Sequence, residues 1–142
     1  MIYMNISMHR IQIIANMFYM NKILPIIKEE SRKVDRPWGY YNILVKTSTY
    51  LIKKIVILPK KSISLQMHNY RSEHWIILSG QAKIIIDNDE MLLEQSQSAF
   101  VPSKKKHKIT NDTLSPLIII ETQLGSILSE DDIIRYDVDY TE

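Results

Sequence analysis

Cysteine is absent from this 142-residue chain, and glycine is scarce, with only 3 residues. Without cysteine there can be no disulfide framework, no thiolate zinc site and no cysteine nucleophile. Three glycines leave almost no material for a phosphate-cradling loop. Neither G-x-G-x-x-G nor G-x-x-x-x-G-K-[ST] occurs, which argues against a Rossmann or P-loop nucleotide enzyme. Long apolar runs are missing as well. The best candidate, Ile11 to Met20, is interrupted by Gln12 and Asn16. It reaches about half of the roughly 20 residues that a spanning helix needs. His9 and Arg10 precede it in the manner of a secretory signal, but no small-residue cleavage site follows. The expectation is a cytoplasmic protein with no membrane partner. Met1, Met4, Met8, Met17 and Met20 leave the start codon open.

What is present suits one globular domain. Hydrophobic residues make up 45% and charged residues 24%, which is neither disordered nor collagen-like. The net charge of +2 conceals an asymmetry. Residues 1–110 hold 17 Lys+Arg against 8 Asp+Glu, a net +9, whereas residues 111–142 hold 1 against 8, a net −7. Such a basic segment can form a rim for an anionic ligand. Nucleic acid is not the expected partner, because the net charge is small and the aromatics do not interleave with the basic residues.

The pattern changes along the chain. Ile13, Met17, Met20 and Leu24 recur at helical spacing, so residues 1–34 read as a helical or linker segment, with Ser31 to Asp35 its polar end. From Trp38 onward the chain breaks into short β-rich runs, the domain proper being residues 35–142. The expected strands are Tyr40–Val45, Tyr50–Leu58, Ser62–His68, His74–Leu78, Ala82–Ile86, Glu90–Glu94, Ser98–Val101, His107–Thr110 and Leu117–Gln123. Turn signals such as Ser79-Gly80, Asp87-Asn88-Asp89 and Asn111-Asp112 part them. Many short strands with no long helix between them indicate a sandwich or small barrel and disfavour a parallel sheet. Ser129-Glu130-Asp131-Asp132 opens like a short C-terminal helix, with serine as cap and acids in the first turn.

Two clusters carry chemistry. One is Gln66-Met67-His68, Glu73 and Gly80; the other is Pro102, His107 and Asn111. Residues two apart share one face of a strand, so Gln66 and His68 can point together into a barrel. Two imidazoles, one carboxylate and one amide oxygen can enclose a divalent ion. His74 adjoins Glu73 and is expected to face the other way. Glu121 and Gln123 share one face of the last strand and can point inward.

The joint spacing resembles the two-part motif of the cupin superfamily, with Gln66 in the first His place, Lys60 and Ser96 where two glycines would stand, and Lys104 where a third would. The surroundings narrow the likeness. Arg36-Pro37-Trp38-Gly39-Tyr40-Tyr41, Leu65 through Trp75, and Glu130 through Arg135 are similar to the cupin domain of type II mannose-6-phosphate isomerases. That domain commonly forms the C-terminal part of a bifunctional enzyme whose N-terminal part is a mannose-1-phosphate guanylyltransferase.

The resemblance implies a mostly β, cupin-type double-stranded β-helix, a jelly-roll barrel. It implies a metal-dependent interconversion of mannose 6-phosphate and fructose 6-phosphate that feeds GDP-mannose and polysaccharide synthesis. Gln66, His68, Glu73 and His107 would be the metal ligands, and zinc suits imidazole with oxygen donors. Glu121 and Arg71 are the catalytic candidates. Arg135, Lys104 and Lys105 are candidates for holding the phosphate of the hexose substrate. Arg36, Pro37 and Trp38 would lock the chain onto the barrel wall. A homodimer is expected, and a separately encoded nucleotidyltransferase is a further partner. Two other classes fit parts of the pattern. His68, Glu73 and His107 alone match the facial triad of non-haem iron oxygenases, although Gln66 would fill a position that oxygen needs. A non-catalytic sugar-binding or dimerisation cupin is the other alternative.

Overall fold

The computed structural model describes residues 33–136. The helix expected over residues 1–34 falls almost wholly outside them, as does the chain beyond Tyr136. The strands are β1 (Lys33–Arg36), β2 (Gly39–Lys46), β3 (Tyr50–Ile57), β4 (Gln66–Met67), β5 (Arg71–Ser79), β6 (Ala82–Ile86), β7 (Asp89–Leu93), β8 (Ser98–Val101), β9 (His107–Thr110), β10 (Leu117–Gly125) and β11 (Ile134–Arg135). They form two antiparallel sheets. One has the order β1-β2-β3-β10-β5-β8 and the other β11-β4-β9-β6-β7.

The period-2 alternation explains which residues enter the interior. Along β5, Glu73, Trp75 and Ile77 are buried while His74, Ile76 and Leu78 are exposed. Along β10, Leu117, Ile119, Glu121 and Gln123 are buried. These inward rows change character midway. Ile119 lies opposite Ile55 on β3 and Ile77 on β5, and with Ile57, Ile84, Ile109 and Leu117 it builds an apolar core. Each such fully buried aliphatic side chain stabilises the fold by about 1.5–3 kcal/mol. One step further along, Glu121 lies opposite Lys53 and Trp75, and Gln123 lies opposite Glu73. One end of the barrel interior is therefore hydrocarbon and the other polar.

Three of the expected outlines need correction. The first strand, Lys33–Arg36, lies in what reads as a polar linker; it pairs with β2 across the Pro37-Trp38 turn. The turn works because Gly39 sits at φ +146°, where a Cβ would come within 2.0 Å of the Val56 carbonyl oxygen. The run Ser62–His68 is mostly extended loop, with strand pairing only at Gln66–Met67 and one bridge at Ser62. The expected C-terminal helix is a single 3₁₀ turn, Glu130–Asp132, whose cap position Ser129 makes no side-chain capping bond. Its hydroxyl donates instead to the Asp131 carboxylate at 2.9 Å. Asp132 is drawn inward to accept the backbone N–H groups of Asn69 and Tyr70 at 2.9 and 3.1 Å. Ile134–Arg135 then joins the β4 edge. Sheet pairing and a buried carboxylate thus outcompete helix continuation.

The glycine-position substitutions have a backbone consequence. Lys60, Ser96 and Lys104 adopt φ of 60°, 71° and 65°, with Asp87 a fourth at 52°. A side chain in this left-handed region costs about 1 kcal/mol. Ser96→Gly and Lys104→Gly, both at exposed positions, are each expected to raise stability by about 0.5–1 kcal/mol. Urea denaturation of the two variants checks this; a loss of stability would contradict it.

Candidate metal centre

The Nε2 atom of His68 lies 3.0 Å from Glu73 Oε1, and the Nε2 atom of His107 lies 3.7 Å from Glu73 Oε2. The donor atoms of His68, Glu73 and His107 fall within 4.8 Å of one another, and all three side chains are buried. Three separate strands bring them together. His68 follows β4, Glu73 points inward from β5, and His107 begins β9. Gln66, the fourth residue of the expected set, is buried, pairs with His107 across β4 and β9, and lines a cavity together with Glu73.

Both rings are oriented from behind. The Asp132 carbonyl accepts from His68 Nδ1 at 3.2 Å, and the Lys105 carbonyl accepts from His107 Nδ1 at 2.8 Å. A carbonyl can only accept, so each Nδ1 carries a hydrogen, and each ring, when neutral, presents its Nε2 lone pair. Burial holds the His107 pKa below the ordinary histidine value, against the opposing Glu73 charge, and so favours that neutral ligand form. Burial alone would raise the Glu73 pKa. The contact of His68 with its Oε1, together with the charges of the two rings when protonated and of Arg71, holds it well below the usual carboxylate range. With both rings neutral, the cluster offers an ion two imidazole lone pairs and one carboxylate.

Among the described residues, Glu73 Oε2, His107 Nε2 and Gln123 Oε1 are buried with no hydrogen-bond partner. Leaving such atoms unpaired is costly. Two of them belong to the His/Glu/His set and face each other. A divalent ion fits this donor set in charge and in chemistry.

The remaining expected residues divide. Arg71 is buried and fully engaged. Its Nε reaches Glu73 at 3.4 Å, one terminal nitrogen donates to the Ser129 carbonyl at 2.9 Å, and the other lies 3.5 Å from His68 Nε2. Glu121 is buried on the inner wall, accepting from Trp75 Nε1 at 3.2 Å and from Gln123 at 2.8 Å. The same Gln123 amide nitrogen donates to Glu73 at 3.0 Å. Arg135 lines the cavity, whereas Lys104 and Lys105 are not among its lining residues. Lys105 pairs instead with Asp87 at 2.7 Å. Asn111 is a structural anchor, donating to the Ile57 and Ser115 carbonyls at 3.0 and 2.8 Å. His74 faces outward against Phe100.

Lys53 was not foreseen. It reaches Glu121 at 3.5 Å with only 12% of its side chain exposed and lies over the Tyr41 ring. Its sequence signal was the paired Lys53-Lys54 inside an otherwise apolar strand, where alternation sends one lysine inward. Lys53, Tyr41, Gln66, Glu73, Glu121 and Gln123 are among the residues that line a cavity of about 500 Å³, within the roughly 300–1,000 Å³ range of small-molecule sites.

Two antiparallel sheets closed around a polar end with a His/Glu/His cluster that could bind a metal define a cupin. An RmlC-like cupin from Shewanella frigidimarina shares the fold, with a TM-score of 0.63 at 20% identity over 73% of this chain and 90% of that one. Residues 27–138 match the family described as mannose-6-phosphate isomerase C-terminal, and the chain belongs to that family. Among its relatives are xanthan biosynthesis protein XanB of Xanthomonas campestris pv. campestris, 41% identical over 77% of this chain and 23% of XanB. Another is a mannose-1-phosphate guanylyltransferase of Escherichia coli K12, 40% identical over 74% of this chain and 22% of the relative. The chain therefore spans less than a quarter of the length of these curated relatives. No helix among the described residues is long and apolar enough to cross a membrane.

Proposed function

We propose that this chain catalyses the metal-dependent interconversion of mannose 6-phosphate and fructose 6-phosphate, supplying GDP-mannose for polysaccharide synthesis. The observation that carries this reading is the paired orphaning of Glu73 Oε2 and His107 Nε2 beneath an open cavity, in a chain of this family. His68, Glu73 and His107, with Gln66 beside them, would hold zinc. The ion would supply Lewis-acid polarisation of the substrate oxygens.

The chain's own residues do the rest. Aldose–ketose isomerisation moves a proton between C1 and C2. Glu121 stands on the inner wall one amide away from Glu73, fixed by Trp75 and Gln123, and is the residue assigned to that transfer. Lys53 pairs with it and balances its charge when ionised. Arg71 orients Glu73 and His68. Gln123 Oε1 is left to accept a substrate hydroxyl.

The test is a coupled isomerase assay on the chain before and after chelation, with single metals restored. Activity is expected to vanish with chelator and return with zinc. Inactivity with every metal would overturn the isomerase reading in favour of a non-catalytic sugar-binding cupin.

A further inference from the structure

The cavity separates its charges by depth. Glu73, Arg71 and Glu121 are buried, while Arg36, Glu130 and Arg135 line its solvent-exposed end. There a single carboxylate is shared by two guanidinium groups. Glu130 Oε1 accepts from Arg36 at 3.3 Å, and Glu130 Oε2 lies 3.5 Å from Arg135. The two arginines come from opposite ends of the described chain, one on β1 and one on β11. The fold thus brings one terminal nitrogen from each of two guanidinium groups to a single carboxylate, while the other Arg36 terminal nitrogen donates to the Asp35 carbonyl. The side chains of Arg36, Glu130 and Arg135 are 33%, 51% and 42% exposed. Ion pairs this solvated contribute little net free energy, so a stronger anion can displace the carboxylate at small cost.

We propose that Arg36 and Arg135 form the subsite for the phosphate of a sugar phosphate, and that Glu130 is its resident placeholder, displaced when the phosphate dianion arrives. A dianion with three acceptor oxygens can engage both guanidinium forks at once, which a carboxylate of single charge does less strongly. A neutral sugar has nothing with which to displace Glu130, so the clamp also selects for the phosphorylated form. This assigns Arg36 and Glu130 a role in ligand binding and leaves Lys105 to its pair with Asp87. It rests on the sugar-phosphate part of the proposed function.

Calorimetric titration of the zinc-loaded full chain with mannose 6-phosphate, and separately with mannose, tests the clamp. Arg36→Gln and Arg135→Gln are each expected to weaken mannose 6-phosphate binding by about tenfold. Glu130→Gln is expected to tighten it by about three- to tenfold, the reverse of what a structural contact would show. Mannose affinity is expected to stay unchanged in all three. Wild-type affinity in both arginine variants, or weaker binding in Glu130→Gln, would overturn the clamp. The same would follow if the wild type bound mannose 6-phosphate no better than mannose. If the wild type binds the sugar phosphate as described but does not isomerise it, the catalytic reading fails and the clamp stands.

Discussion

Replacing Glu73 with alanine is expected to leave the protein without bound metal and without isomerase activity, at a stability cost of about 3–5 kcal/mol. Glu73 is the hub of the site. Its Oε1 takes the contacts of His68, Arg71 and Gln123, and its Oε2 faces His107. Removing it leaves the buried Arg71 guanidinium with only the more distant Asp132 carboxylate, 3.8 Å away, as counter-charge. It also removes the only carboxylate among the three clustered donors. The effect has a pH signature. The folded-state pKa of Glu73 is depressed, so its contribution to stability is present above the ordinary value of 4.5 and is lost as pH falls through the lower, folded value. The gap in stability between wild type and Glu73→Ala is therefore expected to be largest near neutrality and to close in acid. Metal analysis, the coupled assay and urea denaturation at several pH values measure all three consequences. Glu73→Gln, which keeps the shape and loses the charge, separates metal loss from collapse of packing. A full equivalent of metal retained by either variant would remove Glu73 from the ligand set.

Much of this was legible in the sequence, and the failures share a cause. The strands from Gly39 to Gly125, the Ser62–His68 run excepted, follow from apolar alternation and turn residues, and the inward row of β10 is readable in Leu117-Ile118-Ile119-Ile120-Glu121-Thr122-Gln123, where hydrocarbon gives way to polar groups. The spacing of His68, Glu73 and His107 was also enough to bring them to one candidate cluster. What the sequence could not disclose was contact between distant polar residues. Asp132 binds the backbone of Asn69 and Tyr70 from more than 60 residues away, and Arg36 meets Glu130 across 94. In sequence these are exposed-looking charges in polar stretches. The acidic run Glu130-Asp131-Asp132 read as a helix start because local capping preference was the only signal available. Its real determinant is the loop after β4, whose N–H groups need a buried acceptor. The lysine run before His107 adjoins a candidate ligand in sequence, while in the fold the turn at Lys104 and the pair with Asp87 hold Lys105 outside the cavity lining.

Glu121→Gln is expected to lower kcat by about 10²–10⁴-fold while metal content is retained. Glutamine fills the same volume and can still accept from Trp75, so the wall against which the substrate lies is preserved. What it lacks is a carboxylate able to take and return a proton. Burial, and after it the charge of Glu73, raises the Glu121 pKa, against the opposing effects of Lys53, Trp75 and Arg71. Two results follow from that direction. The ascending limb of the wild-type kcat profile is expected above the ordinary carboxylate value of 4.5 and to be absent from the residual activity of the variant. Stability moves too. An acid whose folded pKa is raised contributes stability that is present below the unfolded value and lost as pH rises through the folded one. Glu121→Gln is therefore expected to gain stability relative to wild type as pH climbs across that interval. A kcat within about threefold of wild type would exclude Glu121 as the proton carrier. An unchanged ascending limb in the residual activity would assign that limb to another group. Lys53→Met adds a control with the opposite sign. It takes away the positive charge that favours ionised Glu121, so the ascending limb is expected to move further up in pH rather than disappear.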